Sequence, residues 1–302
     1  MATTKITSPD LFDLGSLNTA LQLPSGTTAE RPTSPSTGEW RYNTTTNLVE
    51  FWDGGEWRDL QSEDIPPVPS ENFNTVLYTG DGSATRAITG VGFEPDMVWI
   101  KARNGAYSHN LQDSSRGGGS STALNPNLTL AAGTYGIYGF VSSFDTDGFT
   151  VGTGSSNNVH VNNNGTTYVA WCWKANGGTT SSNTDGTITS TVQANTKAGF
   201  SIVTYTGDGA NGTVGHGLGV APDIVLVKRL NSTGSWSFNG SVGGLTYGTN
   251  KLVLQTTAAI SADTNEVTAA TSTTFTAGTS GSVGASGGDY VAYCFYSVAG
   301  YS

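Results

Sequence analysis

The sequence has few positive charges and no cluster of them. Its 302 residues include 13 lysines and arginines against 23 aspartates and glutamates, giving a formal net charge of −10 at pH 7. Nucleic-acid binding without sequence preference depends on basic clusters that neutralise phosphates, and anionic membrane surfaces attract the same clusters. We therefore expect neither nucleic acid nor an anionic membrane as a partner.

Long apolar runs are also missing. No run reaches the ~18 residues of a transmembrane helix, and residues 1–5 lack the hydrophobic stretch of a signal peptide. The sequence therefore predicts no membrane insertion and synthesis in the cytoplasm.

Cysteine and histidine are too few to indicate a disulfide framework or a metal site. Cys172 and Cys294 occupy equivalent places in two similar segments, so a bridge between separately folded copies would exceed the ~7 Å limit between Cα atoms. We expect buried free thiols. His109, His160 and His216 are scattered without ligand spacing, and we expect no metal and no cofactor.

Short runs of alternating apolar and polar residues dominate the sequence. Glycine accounts for 41 residues and charged residues for only 12%, while Val, Thr, Tyr and Trp recur between clusters of Gly, Asn, Asp and Ser. This pattern predicts an all-β fold with many tight turns. The predicted strands are 73–79, 96–103, 149–152, 167–174, 187–194, 200–206, 223–229, 251–255 and 289–297.

Two segments of the chain are copies of one element. Residues 78–82 return as 205–209 with the same sequence, and residues 168–173 return in similar form as 290–295. The repeat predicts two homologous β domains in tandem, at 73–176 and 187–302. The linker at 177–186 is rich in Ser and Thr, so we expect it to be flexible and the two domains to reorient.

Two further features are interpreted as structural. Asp145 and Asp147 have the spacing of the first two ligands of a calcium-binding loop. Ser156, however, occupies the position at which an EF-hand has its closing glutamate, so an Asx turn is the preferred interpretation. Lys101 and Lys228 stand at matching strand ends, where solvated edge protection is expected.

Residues 25–60 form a different segment, predicted as a β-hairpin module. A unit of two or three strands below ~40 residues is not stable alone without disulfides, metal or oligomerisation. Trp40, Phe51, Trp52 and Trp57 supply apolar area for association between copies. We expect a homotrimer with these residues at the interface. The Pro-rich linker at 61–72 should be extended and semi-rigid.

At residues 29–44 and 50–57 the sequence resembles a short module common in tail-fibre and other virion structural proteins of tailed bacteriophages. The repeats are similar to β-sandwich domains found in tandem in phage structural proteins, notably those of cyanobacterial phages. The second copy has residues 273–278 in place of the Asp-x-Asp-Gly element. This resemblance implies a virion structural protein and carries no catalytic signature.

Two locations in the virion fit this resemblance. A tail fibre or similar appendage that contacts the host surface is the leading hypothesis, and a capsid decoration or head-fibre protein is the alternative. Residues 1–24 carry apolar side chains that so short a segment cannot bury alone, so we expect them to attach the chain to another virion protein. A disordered leader is the other interpretation.

Host contact suggests a glycan as ligand. Sugars stack on aromatic rings and hydrogen-bond to polar side chains. The candidate ligand-binding residues are Tyr107, His109 and Arg116 in copy one and Trp236 and Asn239 in copy two. Packing in a sandwich core is the alternative for each aromatic residue.

An enzyme is the hypothesis that we place last. Polysaccharide cleavage needs two carboxylates facing one cleft, and the candidates in copy one are Glu94, Asp113, Asp145 and Asp147. Glu94 has no counterpart in copy two, and no nucleophile elbow or Ser/His/Asp grouping is present. The prediction is a protein without enzymatic activity.

Overall fold

The chain divides into two compact units, Met1–Ile65 and Pro66–Ser302. The computed structural model describes residues 23–59 of the first unit and 68–298 of the second. The predicted attachment peptide at 1–24 therefore lies almost entirely outside the described residues, as does most of the predicted linker at 61–72.

The predicted all-β class is confirmed. The described helices are short: α1 (Pro69–Asn72) and the 3-10 turns Thr28–Glu30, Ser120–Thr122 and Gly136–Tyr138. The strands of the first unit are β1 (Ser25–Gly26), β2 (Trp40–Asn43), β3 (Leu48–Trp52) and β4 (Trp57–Asp59).

The first unit is one sheet in the order β1-β2-β3-β4. Asn43 fixes the turn between β2 and β3, because its side-chain oxygen accepts a hydrogen bond from the Thr45 amide at 2.9 Å. Asn47 in the same turn has a φ of 59°, which asparagine tolerates better than most residues. Asp53 fixes the next turn by accepting hydrogen bonds from the amides of Gly55 and Glu56.

The second unit contains two sandwiches, and the first has two facing sheets in the orders β5-β11-β7-β8 and β6-β10-β9. Alternation along β11 sends Tyr168, Ala170 and Cys172 into the core between these sheets. The strands of this repeat are β5 (Phe73–Thr79), β6 (Thr85–Thr89), β7 (Met97–Ala102), β8 (Asn110–Asp113), β9 (Phe140–Asp145), β10 (Gly148–Gly152) and β11 (Thr167–Trp173).

The second repeat has the same strand order with a wider sheet. Its larger sheet runs β12-β13-β14-β22-β16-β17-β18-β19 and faces β15-β21-β20. The central strands β14-β22-β16-β17 correspond to β5-β11-β7-β8 in repeat 1. The strands are β12 (Ser181–Asn183), β13 (Ser190–Asn195), β14 (Phe200–Thr206), β15 (Gly212–Gly215), β16 (Ile224–Arg229), β17 (Ser237–Gly240), β18 (Asn250–Val253), β19 (Ser261–Ala262), β20 (Val267–Ala270), β21 (Thr274–Ala277) and β22 (Asp289–Phe295).

A pair of stacked tyrosines marks the same place in each sandwich. The rings of Tyr78 and Tyr168 have centroids 5.1 Å apart, and those of Tyr205 and Tyr290 are 5.2 Å apart. The hydroxyls of Tyr78 and Tyr205 each donate a 2.7 Å hydrogen bond to a backbone carbonyl in the loop before the closing strand. The repeated sequence therefore specifies the same packing twice, and Cys172 and Cys294 are both buried and unpaired as expected.

The two repeats form one body, and the expectation that they reorient is wrong. The outer faces of their larger sheets share an apolar core that includes Met97, Leu111, Leu226 and Tyr293. The predicted linker at 177–186 also contributes β12, which extends the sheet of repeat 2.

The connection between the repeats is held by a buried carboxylate. Asp96 is fully buried and accepts hydrogen bonds from the amides of Ala175, Gly177 and Gly178 and from the Ser114 hydroxyl, at 2.6–3.0 Å. These bonds explain why a Gly-rich segment does not behave as a free hinge.

The paired lysines do not protect edges, because β7 and β16 are interior strands. The Lys101 ammonium donates to the carbonyls of Ala102, Gly105 and Tyr107. Lys228 is fully buried and donates to Gly234 in its own repeat and to Thr129 of repeat 1. Burial lowers the pKa of Lys228 to about 8.

Candidate functional site: a polar groove between the repeats

A polar groove of about 580 Å³ lies where repeat 1 crosses the outer face of the larger sheet of repeat 2. One wall comes from the segment 115–132 after β8, and the floor comes from β13, β14 and β22. The volume is in the range of small-molecule sites. The lining residues are Ser115, Arg116, Ser121, Thr122, Ala132, Thr189, Thr191, Thr204, Tyr205, Thr206, Leu230, Asp289 and Tyr290.

Threonines form the floor of the groove. Thr191 on β13 lies opposite Thr204 on β14, and Thr206 lies opposite Asp289 on β22. Strand alternation sends Val203 and Tyr205, the neighbours of Thr204, into the sandwich core, so the hydroxyls of Thr204 and Thr206 face the groove. The Thr206 hydroxyl donates a 2.9 Å hydrogen bond to the Asp289 carboxylate.

Arg116 forms part of the opposite wall and is held by a buried network between the repeats. Its guanidinium contacts the Asp113 carboxylate at 2.7 Å, and that carboxylate also accepts a 2.6 Å hydrogen bond from the Tyr293 hydroxyl. Burial alone would lower the pKa of Arg116, but the charge of Asp113 raises it. The positive charge of Arg116 in the groove wall is therefore balanced by the carboxylate of Asp113.

The candidate residues Tyr107 and His109 lie in repeat 1, outside this groove. Tyr107 packs against the core of its sandwich. His109 accepts a 2.9 Å hydrogen bond from the indole of Trp99 through Nδ1. Burial, with the nearby charge of Lys101, lowers the pKa of His109 to about 4. These two residues are half-buried and have partners within their own repeat.

The structure corrects the interpretation of Trp236 and Asn239 as a ligand-binding pair. Trp236 is 0% exposed in the core between the repeats, and its indole donates to the Asn125 carbonyl at 3.1 Å. Asn239 is also buried and donates to the Ser237 hydroxyl. Neither side chain is accessible to a sugar, because both are buried in the interior of the second unit. Of the five candidate residues, only Arg116 lines the groove.

The carboxylates considered for catalysis or metal binding are engaged separately. Asp113 belongs to the Arg116 network, and Asp145 accepts hydrogen bonds from Ser143 and Thr150. Asp147 accepts from the amides of Gly90 and Gly92 and so closes a turn. Glu94 is half-buried. Within residues 23–59 and 68–298, no group of three or more His, Cys, Asp and Glu residues is placed to hold a metal ion.

In the first unit, the four predicted interface aromatics divide between the two faces of the sheet. Trp40 and Phe51 face each other across β2 and β3 with ring centroids 5.5 Å apart, and Trp40 is 46% exposed. Trp52 and Trp57 lie on the opposite face, with centroids 5.9 Å apart.

That opposite face is built around a buried carboxylate. Glu50 is fully buried and is contacted by Arg31, Arg41 and Asn43. Burial alone would raise the pKa of Glu50, but the hydrogen bonds from Arg31 and Asn43 lower it. The Arg41 guanidinium also lies 5.8 Å from the Trp57 ring. The aromatics on this face therefore have partners within the unit, while Trp40, on the other face, is left exposed.

A second cavity, of about 380 Å³, is apolar. Phe73, Trp173, Phe200 and Phe295 supply most of its aromatic surface. Asp223 lines it as well, but this carboxylate accepts a hydrogen bond from the Ser297 amide. The cavity therefore offers few polar partners to a ligand.

Sequence reasoning missed the groove residues Thr191, Thr204, Thr206 and Asp289. One usable signal was a difference between the copies, because Leu77 stands in repeat 1 where Thr204 stands in repeat 2. The groove also depends on how the repeats pack, and a sequence of two separate sandwiches does not specify that packing.

The comparisons with known proteins identify the family of the second unit. No helix of the described residues combines the length and hydrophobicity needed to cross a membrane. Neither the curated proteins nor the solved structures contain a match to the chain. The family described as "Domain of unknown function (DUF7483)" matches residues 68–302, a range that spans both repeats. The chain therefore belongs to the DUF7483 family.

Proposed function

We propose that the protein is a phage virion structural protein, a tail fibre or similar appendage, whose copies assemble through the first unit. Each copy carries one two-repeat unit, which contacts the host surface. The assembly surface consists of Trp40, Tyr42, Val49 and Phe51, which share one face of β2 and β3.

The observation that carries this proposal is the stacked pair of Trp40 and Phe51, of which Trp40 is exposed. An apolar aromatic at 46% exposure, stacked on a neighbour on an open sheet face, is typical of a surface that a partner covers. The sheet of four short strands has its buried polar cluster on the other face. A second copy of the same face would add the apolar burial that so small a unit lacks.

Light scattering coupled to size-exclusion chromatography tests this assembly. We expect the full chain at micromolar concentration to have three times the 31.2 kDa mass of one chain. Trp40→Ser should shift the protein to a monomer, whereas Thr46→Ala, at an exposed position in the adjacent turn, should leave the trimer intact. A monomeric wild-type chain would overturn the proposed assembly.

Immunogold labelling of virions with an antibody to residues 68–298 tests the location. Gold on the tail supports the appendage, and gold spread over the capsid supports the capsid-decoration alternative. Absence of label from purified virions would overturn both.

A further inference from the structure

We propose that the polar groove between the repeats binds a neutral oligosaccharide. The inference supplies the host contact that the proposed function requires, and to that extent it rests on that function. The groove itself is a property of one chain, since its floor and wall come from the two repeats of the same unit.

The hydroxyls of the floor are available to a ligand. Within the described residues, the side chains of Thr189, Thr191 and Thr204 have no hydrogen-bond partner in the chain, although all three line the groove. Each hydroxyl can donate one hydrogen bond and accept others. A polyhydroxylated ligand presents the same mixture of donors and acceptors, so the floor is complementary to a sugar.

The charge of the groove favours a neutral sugar over an acidic one. Arg116 is the cation in the lining, and the buried Asp113 carboxylate already neutralises it. Asp289 adds a carboxylate that accepts from Thr206 and Asn231, and it would repel an anion. The net charge of −10 acts in the same direction.

The aromatic content of the groove indicates weak binding at each site. Tyr205 and Tyr290 line the groove but are 5% and 0% exposed, so neither provides a face for stacking. Binding then depends on hydrogen bonds that compete with water, which places the dissociation constant in the millimolar range. Several grooves on one oligomer would raise the avidity by about 10²–10⁴.

Saturation-transfer difference NMR on the full chain tests the ligand class. The probes are neutral tetrasaccharides of glucose, mannose and galactose, with tetragalacturonate as the acidic comparator, all at millimolar concentration. We expect saturation transfer to at least one neutral tetrasaccharide and none to tetragalacturonate. Lack of transfer to every neutral probe, or stronger transfer to tetragalacturonate, would overturn the proposal.

Matched substitutions test the location. Thr204→Arg fills the groove and should reduce binding at least tenfold, whereas Leu77→Arg, at the equivalent position of repeat 1, should leave it unchanged. Leu77 is 59% exposed, so this control tolerates a long side chain. The milder Thr191→Ala should weaken binding about fivefold through the loss of one hydrogen bond. Equal binding by Thr204→Arg and Leu77→Arg would place the ligand elsewhere.

The monomeric Trp40→Ser variant separates this inference from the proposed assembly. We expect it to retain the affinity of a single groove and to lose only the avidity. If the wild-type chain is monomeric but binds a neutral probe, the proposed ligand stands and the proposed assembly is rejected. If the wild-type chain is a trimer but binds no neutral probe, the proposed assembly stands and the proposed ligand is rejected.

Discussion

Repeat 1 and repeat 2 share a sandwich but differ at the outer face of the larger sheet. The stacked tyrosines and the order of the central strands are the same in both. In repeat 1 the outer face presents Leu77 and Trp171, where repeat 2 has Thr204 and Tyr293. Repeat 2 also adds two strands at each edge of its sheet. The cores therefore preserve the duplication, while the outer faces of the larger sheets differ.

This difference shows how a duplicated scaffold gains a groove that neither copy has alone. Each sandwich alone would expose its own sheet face, but the packing of the two leaves a groove with walls from both. The contacts that fix this packing join unlike positions of the two repeats. Asp113 and Arg116 of repeat 1 meet Tyr293 of repeat 2.

The largest expected effect comes from the carboxylates that follow the repeated proline. Asp96→Ala removes the buried acceptor of three backbone amides and should lower the free energy of unfolding by ~3–5 kcal/mol. Asp223→Ala, in repeat 2, removes the partner of the Ser297 amide and should cost ~1 kcal/mol. Urea unfolding of both variants measures the contrast, and equal losses would contradict this account of the connection.

The next effect concerns the ion pair between the repeats. Asp113→Asn leaves the buried Arg116 charge without its partner and should cost ~3 kcal/mol, whereas Tyr293→Phe should cost ~1 kcal/mol. A double-mutant cycle measured by urea unfolding gives their coupling. Strictly additive losses would show that Tyr293 does not support the pair.

The equivalent lysines should differ in how stability depends on pH. Burial lowers the pKa of Lys228 to about 8 from 10.5, so the unfolded state binds more protons between these values. The free energy of unfolding of the wild type should therefore rise with pH across this window by ~1–2 kcal/mol relative to Lys228→Met. Lys101→Met, at the less buried site, is the control and should show a smaller difference. Parallel pH profiles for wild type and Lys228→Met would contradict the burial of the ammonium.

The smallest effect on stability is expected from exchanging the groove residue for its counterpart. Thr204→Leu and Leu77→Thr should each change the free energy of unfolding by less than ~0.5 kcal/mol, because neither side chain is in a core. Thermal unfolding checks this. A loss above ~2 kcal/mol for Thr204→Leu would mean that this position is structural.

The sequence predicted the strands whose alternation and turn signals are strong. The predicted strands at 73–79 and 200–206 coincide with β5 and β14. The predicted strand at 96–103 is one residue longer than β7 at each end, and that at 223–229 begins one residue before β16. Short strands such as β8 and β17 were missed, because they carry buried Asn, Gln and Ser in place of an alternating apolar pattern.

The site was less predictable than the fold. Tryptophan is a residue type on which sugar rings stack, but Trp236 packs against repeat 1. Its indole N–H donates a hydrogen bond to the Asn125 carbonyl of that repeat. The groove threonines have ordinary β-strand sequences, and only the packing of the repeats gives them a concave surface. Arg116 lines the groove in the turn after β8, a strand that the sequence did not predict, and its buried partner Asp113 was considered only as a catalytic carboxylate.

The most direct test is a crystal structure of the full chain soaked with the neutral tetrasaccharide that binds best. The account predicts sugar density on Thr191 and Thr204, between β13 and β14 and the wall at Arg116. Density instead in the aromatic cavity at Trp173 and Phe295, with the threonine floor empty, would contradict it.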